Sequence, residues 1–305
     1  MIVSIISILL LSFFLLIFFS FISKSLKLID YPTKRKNHIG EIPLVGGISI
    51  YLSLIILLPF LDLSNWLNLI VLSSGIIVIL GALDDALQLG ISIRLLSQII
   101  AGLIVIGGGL SIIDIGDYAL INPIELGIFG VLLTLLFVVG LTNAINFMDG
   151  IDGLSSGLII IAIFSIYIFS NFDGGLIDEK IIILMIASLI VFIFFNIGWL
   201  PFQKVFLGDS GSMMLGFITA WMLIYYSHPD IRSIHPVLTL WCVTIPVYDL
   251  FSVTIRRIII KRNPFKPDRM HLHHLLIERG CSSGISLLTI LCLGIILNLL
   301  GAEVY

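Results

Sequence analysis

Residues 2–22 read IVSIISILLLSFFLLIFFSFI, and no charged side chain interrupts them. A helix needs about 20 consecutive apolar residues to cross a bilayer core, so this segment predicts a transmembrane helix. It is too long for the apolar part of a signal peptide and no cleavage site follows, so we expect it to be retained. The whole chain fits the same class, because 59% of its 305 residues are hydrophobic and only 11% are charged.

Ten apolar segments of this kind follow one another along the chain. They cover residues 2–22, 44–61, 67–83, 95–112, 126–142, 154–170, 181–197, 212–227, 236–255 and 284–302. If successive loops lie on alternating sides of the membrane, 14 of the 16 Lys and Arg residues fall on one side. Only Lys180 and Arg232 fall on the other. The positive-inside rule makes that side cytoplasmic. The sequence therefore predicts an all-α, polytopic membrane helical bundle of about ten transmembrane helices, with periplasmic termini and a single integral-membrane domain over residues 1–305.

The third segment ends in residues 81–85, GALDD, with two adjacent carboxylates. Adjacent like charges repel unless a cation or a shared proton relieves them. A hard cation such as Mg²⁺, bound by carboxylate and phosphate oxygens, would provide that relief. Asp84 and Asp85 are therefore candidate catalytic residues, and a plain polar helix end is the alternative.

Residues 143–153, NAINFMDGIDG, carry a polar side chain at every third position: Asn143, Asn146, Asp149 and Asp152. In a helical or 3₁₀ segment this spacing keeps the four side chains roughly on one face. The glycines between them permit a ligand to approach the backbone closely. Two amides and two acids could bind a nucleobase or a sugar and hold a metal. A polar loop between spans is the alternative.

Residues 206–212, FLGDSGS, precede the eighth segment and place Asp209 and Ser210 where the N-cap of that helix is expected. Backbone N–H groups at a helix start favour anions. This arrangement suits a diphosphate with its metal, and Asp209 is the first candidate ligand. A helix cap with no further role is the alternative.

Residues 268–277, DRMHLHHLLI, contain three of the six histidines: His271, His273 and His274. No Cys accompanies them and the HExxH spacing of zinc helices is absent, which argues against a zinc site. With Arg269 beside them, the histidines are more typical of a phosphate-binding loop. A cationic loop that touches lipid headgroups stays open as an alternative, although it does not explain three histidines.

The alternating loops place five polar stretches at the cytoplasmic ends of spans. These are Asp84 with Asp85, residues 143–152, Asp209, Asp249 and the three histidines. Their agreement on one membrane face predicts a composite active site on the cytoplasmic face.

Together these motifs resemble the polyprenyl-phosphate N-acetylhexosamine-1-phosphate transferases of bacterial membranes. The resemblance is closest to the WecA-type branch of glycosyltransferase family 4, which starts O-antigen, enterobacterial common antigen or teichoic acid linkage synthesis. The matching stretches, in the order of the family, are residues 43–47, 81–85, 143–154, 206–216 and 264–276.

The resemblance implies an enzyme of the bacterial inner (cytoplasmic) membrane that requires Mg²⁺, or Mn²⁺ in its place. It would transfer N-acetylhexosamine 1-phosphate from a UDP-N-acetylhexosamine to undecaprenyl phosphate and release UMP, to initiate O-antigen or related polysaccharide synthesis. Membrane lipid is a further expected partner, a homodimer is an expected assembly, and no nucleic acid is expected.

The resemblance also assigns roles to individual residues. Those expected to be catalytic are Asp84, Asp85, Asp149 and Asp152. Those expected to hold the metal are Asp209, Asp85 and Asp149. Those expected to bind substrate are Asn143, Asn146, Phe206, Arg269, His271, His273 and His274.

Two departures from the family pattern bear on the donor sugar. Gln88 stands where the family usually carries a third acid, and the chain ends soon after the tenth segment. Both favour the O-antigen initiators, which accept GlcNAc or a deoxy-sugar such as N-acetylfucosamine or N-acetylquinovosamine. The related phospho-MurNAc-pentapeptide transferase of peptidoglycan synthesis has an uninterrupted histidine run without the pair Asp268 and Arg269.

Two further classes are alternatives. A membrane transporter would place ionisable residues near mid-membrane and often shows an internal repeat, and neither is apparent here. A CDP-alcohol phosphotransferase needs an Arg shortly after an Asp-Gly pair, and residues 149–154, DGIDGL, lack it.

Overall fold

The computed structural model describes residues 2–32, 40–117, 123–173, 177–261 and 270–304, and these are mostly helical. Within these ranges twelve α-helices occur: α1 Ile2–Ile22, α2 Gly46–Leu57, α3 Asn65–Leu87, α4 Ile91–Gly107, α5 Ile128–Met148, α6 Leu154–Asp173, α7 Glu179–Asn196, α8 Gly208–Ser227, α9 Pro236–Cys242, α10 Thr244–Ile259, α11 Leu272–Glu278 and α12 Ser283–Val304. A 3₁₀ turn, Leu58–Phe60, follows α2. The short strands β1 (Ile29–Asp30) and β2 (Ile42–Pro43) pair antiparallel. The expected all-α fold is confirmed.

All ten predicted segments coincide with helices, but fewer helices have the length and apolarity of a membrane span. Among the described residues six qualify, and seven if α9 and α10 are one bent span. The six are Ile2–Ile22, Asn65–Leu87, Ile128–Met148, Leu154–Asn171, Glu179–Asn196 and Ser283–Glu303. α2 and α4 are shorter apolar helices. A count of ten spans and the periplasmic position of both termini therefore stay predictions.

The ninth segment was predicted as one helix over residues 236–255, and the structure breaks it at Val243 with a bend of 77°. Pro246 accounts for the break. A proline has no N–H to donate to the carbonyl four residues earlier, and its ring collides with that carbonyl. The carbonyl in question belongs to Cys242, the last residue of α9.

The chain forms two compact units. One consists of Met1–Leu110 and Asp178–Ile218, and in it α1 packs on α2 and α7 while α3 packs on α4. The other consists of Ser111–Ile177 and Thr219–Tyr305, and in it α5 packs on α10 while α12 packs on α6, α10 and α11. That residues 1–305 act as one domain stays a prediction.

Candidate functional site

The first group of site residues lies in the first unit, and we call it the acidic cluster: Asp84, Asp85, Arg94 and Asp209. Asp84 and Asp85 stand in the last turn of α3, which ends where Gln88 takes a left-handed backbone with φ 54°. A carboxylate near a helix C-terminus lies at the negative end of the helix dipole. Both acids therefore need partners outside α3 to be stable as anions.

Asp85 finds its partners at the start of α8. Its Oδ1 accepts the backbone N–H of Asp209 at 3.0 Å, and its Oδ2 accepts that of Ser210 at 3.3 Å. These N–H groups belong to the first turn, where a helix offers its own donors no acceptor. The expectation that Asp209 caps this helix is wrong, because α8 begins at Gly208 and Asp85 is the residue that caps it. Asp209 instead projects from the first turn.

Asp84 turns to a different partner. The Nη1 atom of Arg94 lies 3.3 Å from Asp84 Oδ2 and 2.9 Å from Asp209 Oδ2, so one nitrogen bridges two carboxylates. Asp84 is 6% exposed, and its Oδ1 has no hydrogen-bond partner among the described residues. Sequence reasoning missed Arg94. The available signal was that it is the one charged residue of the apolar helix α4, a position where a charge usually has a function.

Glycines bring the acidic cluster together. A Cβ on Gly81 would lie 2.6 Å from the Ser210 nitrogen, and one on Gly47 would lie 2.8 Å from the Ser210 carbonyl carbon. The neighbouring backbone also joins: Gly46 N–H donates to Phe206 O at 3.0 Å, and Phe206 N–H donates to Pro43 O at 2.8 Å. The sequence stretches 43–47, 81–85 and 206–212 thus form one packed site.

The donor atoms of the acidic cluster suit a hard cation. Within the described residues no three or more His, Cys, Asp or Glu side chains form a ready-made metal site. Mg²⁺, however, is usually held by one or two carboxylates together with waters and substrate phosphates. The oxygens that share Arg94 and the unpartnered Oδ1 of Asp84 fit that description. Phe206, expected to stack on uridine, has Lys204 Nζ 5.2 Å from its ring centre.

The stretch 143–152 divides at the end of α5. Asn143 and Asn146 lie on the helix, while Asp149 is its C-cap and Asp152 lies in the following turn, so the helical segment expected to carry all four side chains ends before Asp149. Asn143 Nδ2 donates to the Val139 carbonyl at 2.8 Å. The exposed Asp149 accepts the Ser155 hydroxyl at 2.5 Å. Glycines follow at 150 and 153, and Gly153 has a φ of +76°, a backbone conformation that other residues rarely adopt.

The second group lies in the second unit, and we call it the histidine cluster: Phe147, Asp249, His271, His273 and His274. His271 Nδ1 lies 2.6 Å from Asp249 Oδ2, and the other oxygen of Asp249 accepts the backbone N–H of Leu272 at 2.7 Å. Asp249 and His271 are 4% and 5% exposed. The Phe147 ring packs on His271 with 5.2 Å between centres. Asp249 had no assigned role in the sequence prediction.

His273 occupies a different environment from His271. It is 1% exposed, and neither ring nitrogen has a hydrogen-bond partner among the described residues. Burial, reinforced by His274 and His271, lowers the pKa of His273 to about 3, so its ring is neutral at physiological pH. Gly150 makes room for it, since a Cβ there would lie 2.8 Å from His273 Cε1. The turn after α5 therefore packs directly on the histidines.

Arg269 lies outside the described residues, so its expected part in phosphate binding stays a prediction. The same holds for the union of the two clusters in one composite site, and for the catalytic, metal-binding and substrate-binding roles of their members.

Comparison with known proteins shows which family the chain is similar to. Residues 66–227 match the family model of glycosyl transferase family 4. The chain is 36% identical over 281 residues to the undecaprenyl-phosphate alpha-N-acetylglucosaminyl 1-phosphate transferase of Escherichia coli (strain K12), covering 91% of this chain and 77% of that protein. With the Yersinia pestis enzyme of the same name it shares 35% identity over 261 residues, 84% of this chain and 71% of that protein.

A relative of lower identity is covered to a similar extent. The protein of Bacillus subtilis (strain 168) named probable undecaprenyl-phosphate N-acetylglucosaminyl 1-phosphate transferase is 31% identical over 273 residues, 89% of this chain and 75% of that protein. The family match includes the whole acidic cluster and the stretch 143–153. The chain therefore belongs to glycosyl transferase family 4.

Proposed function

We propose that this chain transfers N-acetylglucosamine 1-phosphate, or that of a related N-acetylated deoxy-sugar, from its UDP derivative to undecaprenyl phosphate and releases UMP. The names of its relatives support the lipid acceptor and the sugar. The reaction would begin O-antigen or related envelope polysaccharide synthesis. The observation that carries the proposal is the pair Asp84 and Asp209, held together by one nitrogen of Arg94 within the region matched by the family.

The chemistry needs positioning and charge neutralisation more than a strong base. The acceptor is a phosphate monoester whose second pKa is about 6, so it is mostly dianionic at neutral pH. Its phosphate must approach the diphosphate of the donor, and both carry negative charge. Phosphoryl-transfer enzymes meet this demand mainly with cations and preorganised donors.

The acidic cluster would hold the cation. Asp209 is the leading ligand, with Asp84 beside it, and Mg²⁺ or Mn²⁺ bound there would neutralise the charge that builds up on the phosphates. Asp85 would serve this site by holding the first turn of α8, from which Asp209 projects. Arg94 supplies a second positive charge next to the same carboxylates.

The histidine cluster and the turn after α5 would bind the donor. His271 is held in place by its carboxylate partner Asp249, whereas His273 is neutral and packs against Gly150. Asn146 and Asp149 lie within two residues of Phe147, which packs on His271, and we assign them to the nucleoside or the sugar. Asp152 and Asn143 would support that turn.

We further propose ten spans in a bacterial inner membrane, with both termini periplasmic and the site residues at the cytoplasmic ends of the spans. The seven clear spans, with α9 and α10 counted as one, would then be joined by α2, α4 and α8. α8 is long enough at 20 residues, and it is buried from residue 210 to residue 226, so it needs no apolar outer surface.

The test uses the purified full-length chain in lipid nanodiscs with undecaprenyl phosphate, Mg²⁺ and a panel of UDP-sugars, including UDP-MurNAc-pentapeptide. We expect UMP release with UDP-GlcNAc or a deoxy-sugar analogue, and only when the lipid acceptor is present. Asp209→Asn should abolish release, while Asp62→Asn, which alters an exposed acid outside the clusters, should not. Absence of UMP with every donor would refute the proposal, and release without lipid would indicate a two-step route.

A further inference from the structure

Asp249 gives His271 a hydrogen-bonding environment that differs from that of His273. It stands on α10 and reaches the first turn of α11 with both carboxylate oxygens, one toward the His271 ring and one toward the Leu272 backbone. Both side chains are more than nine-tenths buried, so bulk water does not compete for these contacts. His273, two residues later, has no acid at either ring nitrogen within the described residues.

The contacts of Asp249 decide which nitrogen of His271 carries a proton. The Leu272 N–H can only donate, and it occupies Oδ1 at 2.7 Å. An ionised carboxylate can only accept, so the short contact of 2.6 Å between Oδ2 and the ring requires the proton on Nδ1. This leaves Nε2 as the ring atom that can meet a ligand. A second proton can enter at Nε2 without disturbing the bond to Asp249.

We propose that Asp249 is a positioning residue for the transfer reaction. It fixes the orientation of His271 and keeps a proton on Nδ1, so that the ring, when it also carries a proton at Nε2, donates a charged hydrogen bond from Nε2 to a phosphate oxygen of the substrate. The proposal rests on the proposed function for the identity of that phosphate, but the state of the ring can be tested separately.

Asp249→Asn is the informative variant. It keeps the size of the side chain and the hydrogen bond to the Leu272 N–H at the start of α11, but it moves the proton of the His271 ring from Nδ1 to Nε2. The amide oxygen must stay with the Leu272 N–H, since the amide nitrogen cannot accept from it. The amide NH₂ then faces Nδ1, which must present a lone pair, and the His271 proton moves to Nε2. Two protons on the ring would place one donor against another. The variant ring then offers a neutral N–H donor at Nε2 where the unaltered ring can offer a charged one.

The ring itself is observed by ¹⁵N NMR of histidine-labelled protein in nanodiscs, with His271→Gln to assign the signal. We expect a protonated Nδ1 of His271 in the unaltered protein and an unprotonated Nδ1 in Asp249→Asn. The same signal in both proteins would overturn the proposal. This readout needs no turnover, so it stands even if no UDP-sugar proves to be a donor.

Kinetics supply the second measurement. We expect Asp249→Asn to lower kcat/KM for the UDP-sugar by about tenfold or more, which is the difference between a charged and a neutral hydrogen bond to phosphate. Its unfolding temperature should stay close to that of the unaltered protein. Combined with His271→Gln it should cause no further loss, because both changes remove one interaction. A folded Asp249→Asn protein with undiminished kcat/KM, or losses that add in the double variant, would refute the role.

Discussion

Replacing Gly81 with Ala tests whether close approach of α3 and α8 builds the acidic cluster. The new Cβ would lie 2.6 Å from the Ser210 nitrogen, whereas ordinary contact begins at 3.4 Å. The atoms it meets are backbone, so no side chain can rotate away. The two helices would have to separate by at least 0.8 Å, the difference between those distances.

That separation has a calculable cost. The bonds from Asp85 to the first turn of α8 are already 3.0 and 3.3 Å long, so the same displacement would break both. Loss of a helix cap costs about 1–2 kcal/mol, and overpacking costs a further ~1–3 kcal/mol. The higher helix propensity of Ala offsets about 1 kcal/mol. We therefore expect Gly81→Ala to destabilise the protein by about 1–4 kcal/mol.

The assay is unfolding of the purified protein by SDS titration in mixed micelles, alongside UMP release at saturating Mg²⁺. Gly107→Ala is the matched control, since it changes a glycine at the end of α4 whose added Cβ would meet no atom within 4 Å. The control should be neutral or slightly more stable, and active. Equal stability and activity of the Gly81 and Gly107 variants would refute the argument that close backbone contact positions the carboxylates.

Three further outcomes are expected. Arg94→Gln should lower the unfolding temperature in EDTA, because the variant lacks the guanidinium that neutralises Asp84 and Asp209. For the same reason added Mg²⁺ should stabilise the variant more than the unaltered protein. An equal effect of Mg²⁺ on the two proteins would contradict this. Gly150→Ala should displace His273 and reduce UMP release at least about tenfold, judged against Gly284→Ala, which has open space around it. Finally, the folded pKa of His273, about 3, lies below the ordinary histidine value of 6.5, so the unfolded chain takes up a proton first as the pH falls. The unfolding temperature should therefore decrease between about pH 7 and pH 5 more steeply in the unaltered protein than in His273→Gln, and parallel profiles would count against a buried neutral ring.

The helices themselves could be read from the sequence because their signal is local. An uncharged run of about 20 apolar residues predicts a helix whatever surrounds it, and all ten predicted segments are helical. The break at Val243 was missed although Pro246 was visible, since a proline also occurs inside kinked but continuous helices. How many of these helices cross a membrane depends on length and on what covers each one, as the buried α8 shows.

The chemical character of the site also came from the sequence, while the partner of each side chain did not. The paired acids, the amides and the histidines were all recognised as polar residues in an apolar chain. Arg94 and Asp249 were visible too, but each gains its meaning from a residue far away in sequence, 115 positions in the bond from Arg94 to Asp209 and 22 in the bond from Asp249 to His271.

Asp84 and Asp85 show which properties of the site follow from the sequence and which follow only from the tertiary structure. The order of residues along the chain is enough to establish that two carboxylates end an apolar helix and need positive partners. It does not establish that Asp85 caps α8 while Asp84 shares Arg94 with Asp209, which the folded chain alone reveals. Neighbouring residues on an α-helix project about 100° apart, so two identical side chains face different neighbours. Which neighbours they meet depends on how α3, α4 and α8 pack, and that packing is set by glycine contacts between segments distant in the chain.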